Sequence, residues 1–231
     1  MRLFISRQLS QDSPIRKLAT DHKWELIDQS LIDIKIRTLQ ELPHADWYFF
    51  YSKNGVKSYL KYRNTMSNKT NDKNIKLAAI GPGTATFMIQ NDLVCSFAGD
   101  GGTDQTESDF LEVSKNDDSI LFFRAENSAN RLMKTIKPFR KVQSVIAYDN
   151  DMVPTVFPPV DIVVLTSSRN ARAFLKANPT PKQKIIAIGH PTYDTLLSLS
   201  IPSTDIIVAE EPSEEGILKA LLKIMNNKDI T

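Results

Sequence analysis

Four segments of this 231-residue chain close an apolar run with hydroxyl, amide or glycine residues: 52 to 55, 81 to 84, 167 to 170 and 189 to 192. In residues they are Ser52-Lys53-Asn54-Gly55, Gly81-Pro82-Gly83-Thr84, Ser167-Ser168-Arg169-Asn170 and Gly189-His190-Pro191-Thr192. Each precedes a helix-period stretch, which is where open α/β sheets bind ligands. Such a turn offers hydroxyls, close backbone approach at glycine, and the N–H groups of a starting helix, which attract anions by hydrogen bonding and by the helix dipole. Lys53 and Arg169 add point charge. Turns of this kind around one ligand would suit a molecule carrying several negative charges at separated points. The hydroxyls have a second use, because Ser52, Thr84, Ser167 and Thr192 are also the residue types that cap helices, worth ~1 kcal/mol with no ligand at all. Tyr148 could aim a phenolic O–H at the same ligand or simply pack a connecting strand.

Other chemistries lack their residues. There is no phosphate-binding Walker loop, no GxGxxG after a strand, no HExxH, no GxSxG and no CxxC. His22, His44 and His190 are scattered, with no carboxylate or cysteine at ligand spacing, so no metal is expected. Gly99-Asp100-Gly101-Gly102 has the composition but not the spacing of a nucleotide loop and reads as a turn before a helix. Lys and Arg total 29 against 27 Asp and Glu, so no basic field points to nucleic acid. Seven basic residues and one acid lie between Lys53 and Lys76, and the nearly all-polar centre of that stretch, Asn64 to Asn74, reads as a solvated loop extending a helix. Cys95, alone in the chain, reads as a small buried hydrophobe.

Apolar runs with the length and β-branched or aromatic content of buried parallel strands occur at 3–6, 47–51, 75–80, 120–123, 162–166, 185–188 and 206–209. Their alternation with helical stretches predicts an α/β fold of parallel sheets flanked by helices. Ser13-Pro14 and Ser213-Glu214-Glu215 mark helix starts. The pattern is duplicated. Residues 45–56 match 160–171, residues 75–84 match 184–192, and Leu3 to Arg7 match Leu121 to Ala125 more weakly, at offsets of about 115, 108 and 118 residues. A repeat of that size is a domain, so two similar lobes are expected. Alternating stretches near 31–36 and 142–148 fall where the chain would cross between them. We therefore expect one domain from 1–32 plus 153–231, another from 38–143, and linker strands at 33–37 and 144–152. No run reaches the ~18 apolar residues of a membrane span, and the apolar start is far short of a secretory core, so a cytoplasmic, reduced and soluble chain is expected, taken here to be a monomer.

The combination of Ala45 to Val56, Ala78 to Ala85, Tyr148 closing Val145-Ile146-Ala147-Tyr148, Asp161 to Ser168 and Ile185 to Thr192 resembles the uroporphyrinogen-III synthase family. The resemblance covers nearly the whole chain in order. It implies two HemD-like α/β domains joined by a two-stranded β-ladder, with a site in the cleft between them. It also implies a substrate, hydroxymethylbilane, a linear tetrapyrrole with eight carboxylates, closed with inversion of ring D and loss of water and without a cofactor. A transient contact with the preceding bilane-forming enzyme would fit, whereas nucleic acid and membrane are not expected partners. By the same resemblance Tyr148 aligns with a linker tyrosine that assists hydroxyl departure. Thr84 and Thr192 align with cleft threonines, and Ser52 and Ser167 with turn serines that contact substrate carboxylates. Lys53, Asn54, Gly83, Ser168 and Arg169 complete the substrate-binding candidates. Asn54 stands where some relatives have Arg and Tyr51 where Thr is common, while His190 replaces a usual proline and adds an anion contact. The alternative from another class is a two-lobed module that binds an anionic metabolite without chemistry.

Overall fold

The computed structural model describes residues 1–65, 74–179 and 183–228. It divides into two compact units, Met1–Asp33 with Asp151–Thr231, and Ile34–Asn150. Most of the segment read as a basic loop, residues 66–73, lies outside the described residues.

In the second unit a sheet runs in the order β3 (Ile32–Ile36), β8 (Lys141–Met152), β7 (Ser119–Ala125), β4 (Trp47–Phe50), β5 (Lys76–Ala79), β6 (Cys95–Ala98). From β8 to β6 every pairing is parallel. The central strand is short and aromatic because it is covered on both faces. Tyr48 and Phe50 point into one core with Val56 and Tyr59 of α2 (Lys53–Thr65) and Met88 of α3 (Pro82–Ile89). Trp47 and Phe49 point into the other, with Phe110 of α4 (Asp104–Val113) and Leu132 and Ile136 of α5 (Arg131–Ile136). The period of two along the strand sends alternate rings to opposite sides. At the far edge β3 lies beside β8, with Arg37 N–H donating to Ala147 O at 3.0 Å. β8 is a full member of this sheet, paired to β7 along seven residues of that strand.

The first unit repeats the plan. Its sheet runs β11 (Ile206–Val208), β10 (Lys184–Ala187), β9 (Ile162–Leu165), β1 (Arg2–Ile5), β2 (Glu25–Asp28), all parallel. Read from β2 the order matches that from β8 in the other sheet, with β1 in the place of β7, β9 of β4 and β10 of β5. The weak match of Leu3–Arg7 to Leu121–Ala125 is therefore topological, and the first unit is the permuted copy, its last two strands supplied by the N-terminus. Its cores lie under α6 (Ser168–Ala177) and α7 (His190–Ser198) on one face and α1 (Pro14–Asp21) and α8 (Glu214–Lys228) on the other. Ser13 caps α1 by accepting Arg16 N–H at 3.3 Å, and Ser213 accepts Gly216 N–H at 3.0 Å at the start of α8.

Two strands were not expected from the sequence, β2 and β6. Both are outermost and only partly covered, so their residues lack the continuous apolar character of the inner strands. Cys95 on β6 is half-buried rather than enclosed, and its neighbour Val94 is 81% exposed. Burial still pushes its thiol upward, the opposite of what a nucleophile needs.

Phe122 of β7 lies 5.1 Å from the ring of Phe49 and 5.5 Å from that of Tyr51, fully buried. Phe122→Ala should lower the free energy of unfolding by about 3–5 kcal/mol in urea titration. A loss below about 1 kcal/mol would mean that this aromatic face is not what binds β7 to β4.

Candidate active site

In the second unit, the turns that end β4 and β5 border an open, shallow cleft of about 530 Å³. Ser52, Lys53, Asn54, Gly83 and Thr84, five of the residues expected from the sequence, all line it. Lys57 lines it too, one helical turn beyond Lys53, and no Asp or Glu is among its lining residues. Spacing of four along α2 could have revealed Lys57 in advance. The cleft is accordingly a cationic, hydroxyl-bearing surface at the carboxyl end of a parallel sheet.

Gly81 and Gly101 give the cleft its floor. A Cβ on Gly81 would stand 2.9 Å from Gly101 Cα, so only glycine lets the two turns meet. Gly101 itself has φ +98 and donates its N–H to Ile80 O at 2.9 Å. The Gly99 to Gly102 segment is indeed a turn before a helix, as expected, and its Gly101 also lines the cleft. Asp100 is exposed, its carboxylate accepting from Thr106 Oγ1 and from Gly102 N–H, each at 2.8 Å, and these bonds hold its carboxyl below the usual range.

The helix starts differ from expectation. Thr84 and Thr192 are not caps but third residues of α3 and α7, 7% and 2% exposed, with Gly81 and Gly189 as the N-cap residues. Their own N–H groups are drawn back to those glycine carbonyls at 3.0 and 3.1 Å. Proline removes another donor from each turn, Pro82 at the first helical position and Pro191 at the second. What remains toward solvent is the amide of Gly83 in one copy and of His190 in the other. α2 keeps the amides of Lys53 and Asn54, since Ser52 O accepts those of Gly55 and Val56 at 3.1 and 3.3 Å.

Ser52 does not use its side chain as a cap either. Its Oγ donates to the phenolic oxygen of Tyr148 at 2.9 Å. Tyr148 is 8% exposed, its ring packed in the core with Phe123 and Ala125. The backbone there is clamped as well: Tyr148 O accepts Glu126 N–H at 3.1 Å, and Arg37 bridges Glu126 at 3.1 Å and Asp149 at 2.5 Å. The Arg37 guanidinium holds the Asp149 carboxyl below its ordinary value.

In the first unit Ser167 does cap α6, its Oγ accepting Asn170 N–H at 3.1 Å and the Asn170 amide at 3.0 Å. Ser168 Oγ donates to Pro191 O at 2.7 Å and so ties the two turns of this unit together. Arg169 is half-buried and His190 exposed, its ring edge-on to Tyr193 at 6.4 Å. Ser167, Ser168, Arg169, His190 and Thr192 therefore gather at one sheet end, as Ser52 to Thr84 do in the other unit. Among the described residues no cluster of His, Cys, Asp or Glu could hold a metal ion.

Tyr51, a cleft residue that sequence reasoning noted only as a replacement, accepts Met133 N–H at 2.9 Å. Burial, the main cause, raises its phenol from 10.0 to about 12, against the lowering effect of that amide and of Arg124.

A family model described as uroporphyrinogen-III synthase HemD matches residues 13–219. The fold is similar to that of uroporphyrinogen-III synthetase from Helicobacter pylori, with TM-score 0.69 and 21% identity over 97% of this chain and 100% of that one. It is also similar to a mutant uroporphyrinogen III synthase from the extremely thermophilic bacterium Thermus thermophilus, with TM-score 0.62 and 13% identity over 96% and 99% of the two chains. A comparison with curated protein sequences finds no match.

Tyr51 supplies a pH test. The unfolded chain loses this proton first, so the stability conferred by the neutral phenol is whole below pH 10 and is lost as pH rises toward about 12. Urea midpoints measured at neutral and alkaline pH should fall less steeply in Tyr51→Phe than in the parent chain. An equal fall would place the alkaline loss elsewhere.

Proposed function

We propose, for a chain that belongs to the uroporphyrinogen-III synthase HemD family, that the turns ending β4 and β5 receive substrate carboxylates while Tyr148 assists hydroxyl departure. The activity is that of the family: hydroxymethylbilane is closed to uroporphyrinogen III with inversion of ring D and loss of water. The chain is thus a cyclising lyase of porphyrin and heme biosynthesis, and the reading as a binding module without chemistry gives way to it.

The observation that carries the residue assignment is the hydroxyl pair Ser52–Tyr148 beside a cleft with two lysines and no carboxylate. Lys53 and Lys57 supply point charge, and the amides of Lys53, Asn54 and Gly83 supply directed donors. Thr84 stands at the cleft wall. Ser167, Ser168, Arg169, His190 and Thr192 are read as the substrate-binding residues of the first unit, Arg169 and His190 adding charge and Ser168 holding its two turns in register. Held at several separated acids, the bilane is kept bent so that the inverting attack of ring D outruns the spontaneous closure to the symmetric isomer. Departure of the hydroxyl then leaves an azafulvene at ring A. The substituted carbon of ring D attacks it to give a spiro intermediate, which fragments and recloses. A positioned acid at Tyr148 lowers the cost of the first step.

Residues 33–37 and 144–152 are read as linker strands between a domain of 1–32 with 153–231 and one of 38–143. We read the enzyme as a cytoplasmic monomer that meets the preceding bilane-forming enzyme only transiently. Among the described residues no helix is long and apolar enough to cross a membrane.

Chromatography of the oxidised porphyrins formed from fresh bilane should return mainly the type III isomer. A product no richer in that isomer than a protein-free control would overturn the assignment. Tyr148→Phe should lower kcat by about 10- to 100-fold and change KM by less than about threefold. An unchanged kcat would return Tyr148 to a packing role.

A further inference from the structure

The two copies of the duplicated turn use their first serine differently. Ser167 spends its hydroxyl on the helix it precedes, with Asn170 folded back on it. Ser52 lines the cleft, yet its hydroxyl turns to the phenol of Tyr148. The third residue after each serine explains the contrast. In the second unit it is Gly55, which has no side chain to reach back and whose Cβ would press Phe123 Cβ at 3.2 Å. Glycine there lets the start of α2 lie close against β7, on the face from which Tyr148 of β8 reaches across.

From this we infer that Ser52 is a positioning residue that acts on Tyr148 rather than on a substrate carboxylate. The inference rests on the proposed role of Tyr148 as the acid. Because Ser52 donates, an acceptor site of the phenolic oxygen is taken and its proton must point elsewhere, and no acceptor for that proton is found among the described residues. The phenol is therefore held as a donor. In the step it serves, the C–O bond of the hydroxymethyl group breaks with its electron pair on oxygen. The Tyr148 proton joins that oxygen, which leaves as water, while the pyrrole nitrogen stabilises the carbon left behind. The Ser52 hydroxyl keeps donating to the phenolate so formed, and the proton lost by the carbon that closes the ring restores the phenol. With its ring buried and its backbone clamped by Glu126, Tyr148 has little other freedom to lose.

The test is a double-mutant cycle in the full chain, read by steady-state kinetics on the bilane. Ser52→Ala should lower kcat by about 3- to 10-fold, the change one neutral hydrogen bond carries, with KM and the melting midpoint nearly unchanged. In a Tyr148→Phe background the same substitution should cost nothing more, and Ser52→Thr should recover part of the lost rate. Three results would overturn the inference: a raised KM with intact kcat, losses that multiply in the double variant, or wild-type turnover in Ser52→Ala. Failure of the premise shows separately, as normal kcat in Tyr148→Phe alone, and would remove this inference with it.

Discussion

The carboxyl end of the second unit's parallel sheet is the constraint on which the rest of the site depends. Parallel strands bring their following turns to one edge, and the turns after β4 and β5 must then face each other across a strand spacing. β4 can hold that place because its four residues are buried on both faces, with aromatic rings packed above and below. The neighbouring strand β7 is buried in the same way, and β8 beyond it delivers Tyr148 over that edge. Rigid strands thus carry the hydroxyls to within 2.9 Å of each other.

The charge of the cleft follows from what is kept out of it. Lys53 and Lys57 stand on α2, where their charge is not offset by any lining carboxylate. The nearby acid of the glycine turn is folded onto Thr106 and Gly102 instead. Asp149, next to the tyrosine, is paired with Arg37. An anionic guest at this edge meets donors and cations, with Asp149 paired to Arg37 and the Asp100 carboxylate hydrogen-bonded to donors of its own.

Duplication explains the likeness of the two units and also where it stops. The same strand order and the same turns recur, so caps and hydroxyls were copied together. Afterwards single residues set their uses: Asn170 against Gly55, and proline at the second rather than the first position of the helix. The amide left over in each copy differs by one residue as a result, and a serine that caps in one unit orients a phenol in the other.

Much of this was legible in the residues. Buried strands show as short β-branched or aromatic runs, helix starts as Ser-Pro and Ser-Glu-Glu, and the duplication as repeated turns, because these depend on local sterics and on alternation along the chain. Five cleft residues were found in this way. β2 and β6 were not, since edge strands are half-covered and need no continuous apolar run. Nor could the sequence reveal that Gly101 packs on Gly81, that Thr84 and Thr192 sit inside their helices, or that Ser52 bonds Tyr148. Those facts join residues 20 and 96 positions apart, in the case of Gly101 and Tyr148. Which hydroxyl meets which partner is decided only when sheet order and register place distant segments side by side, a choice made by packing and invisible to any local pattern.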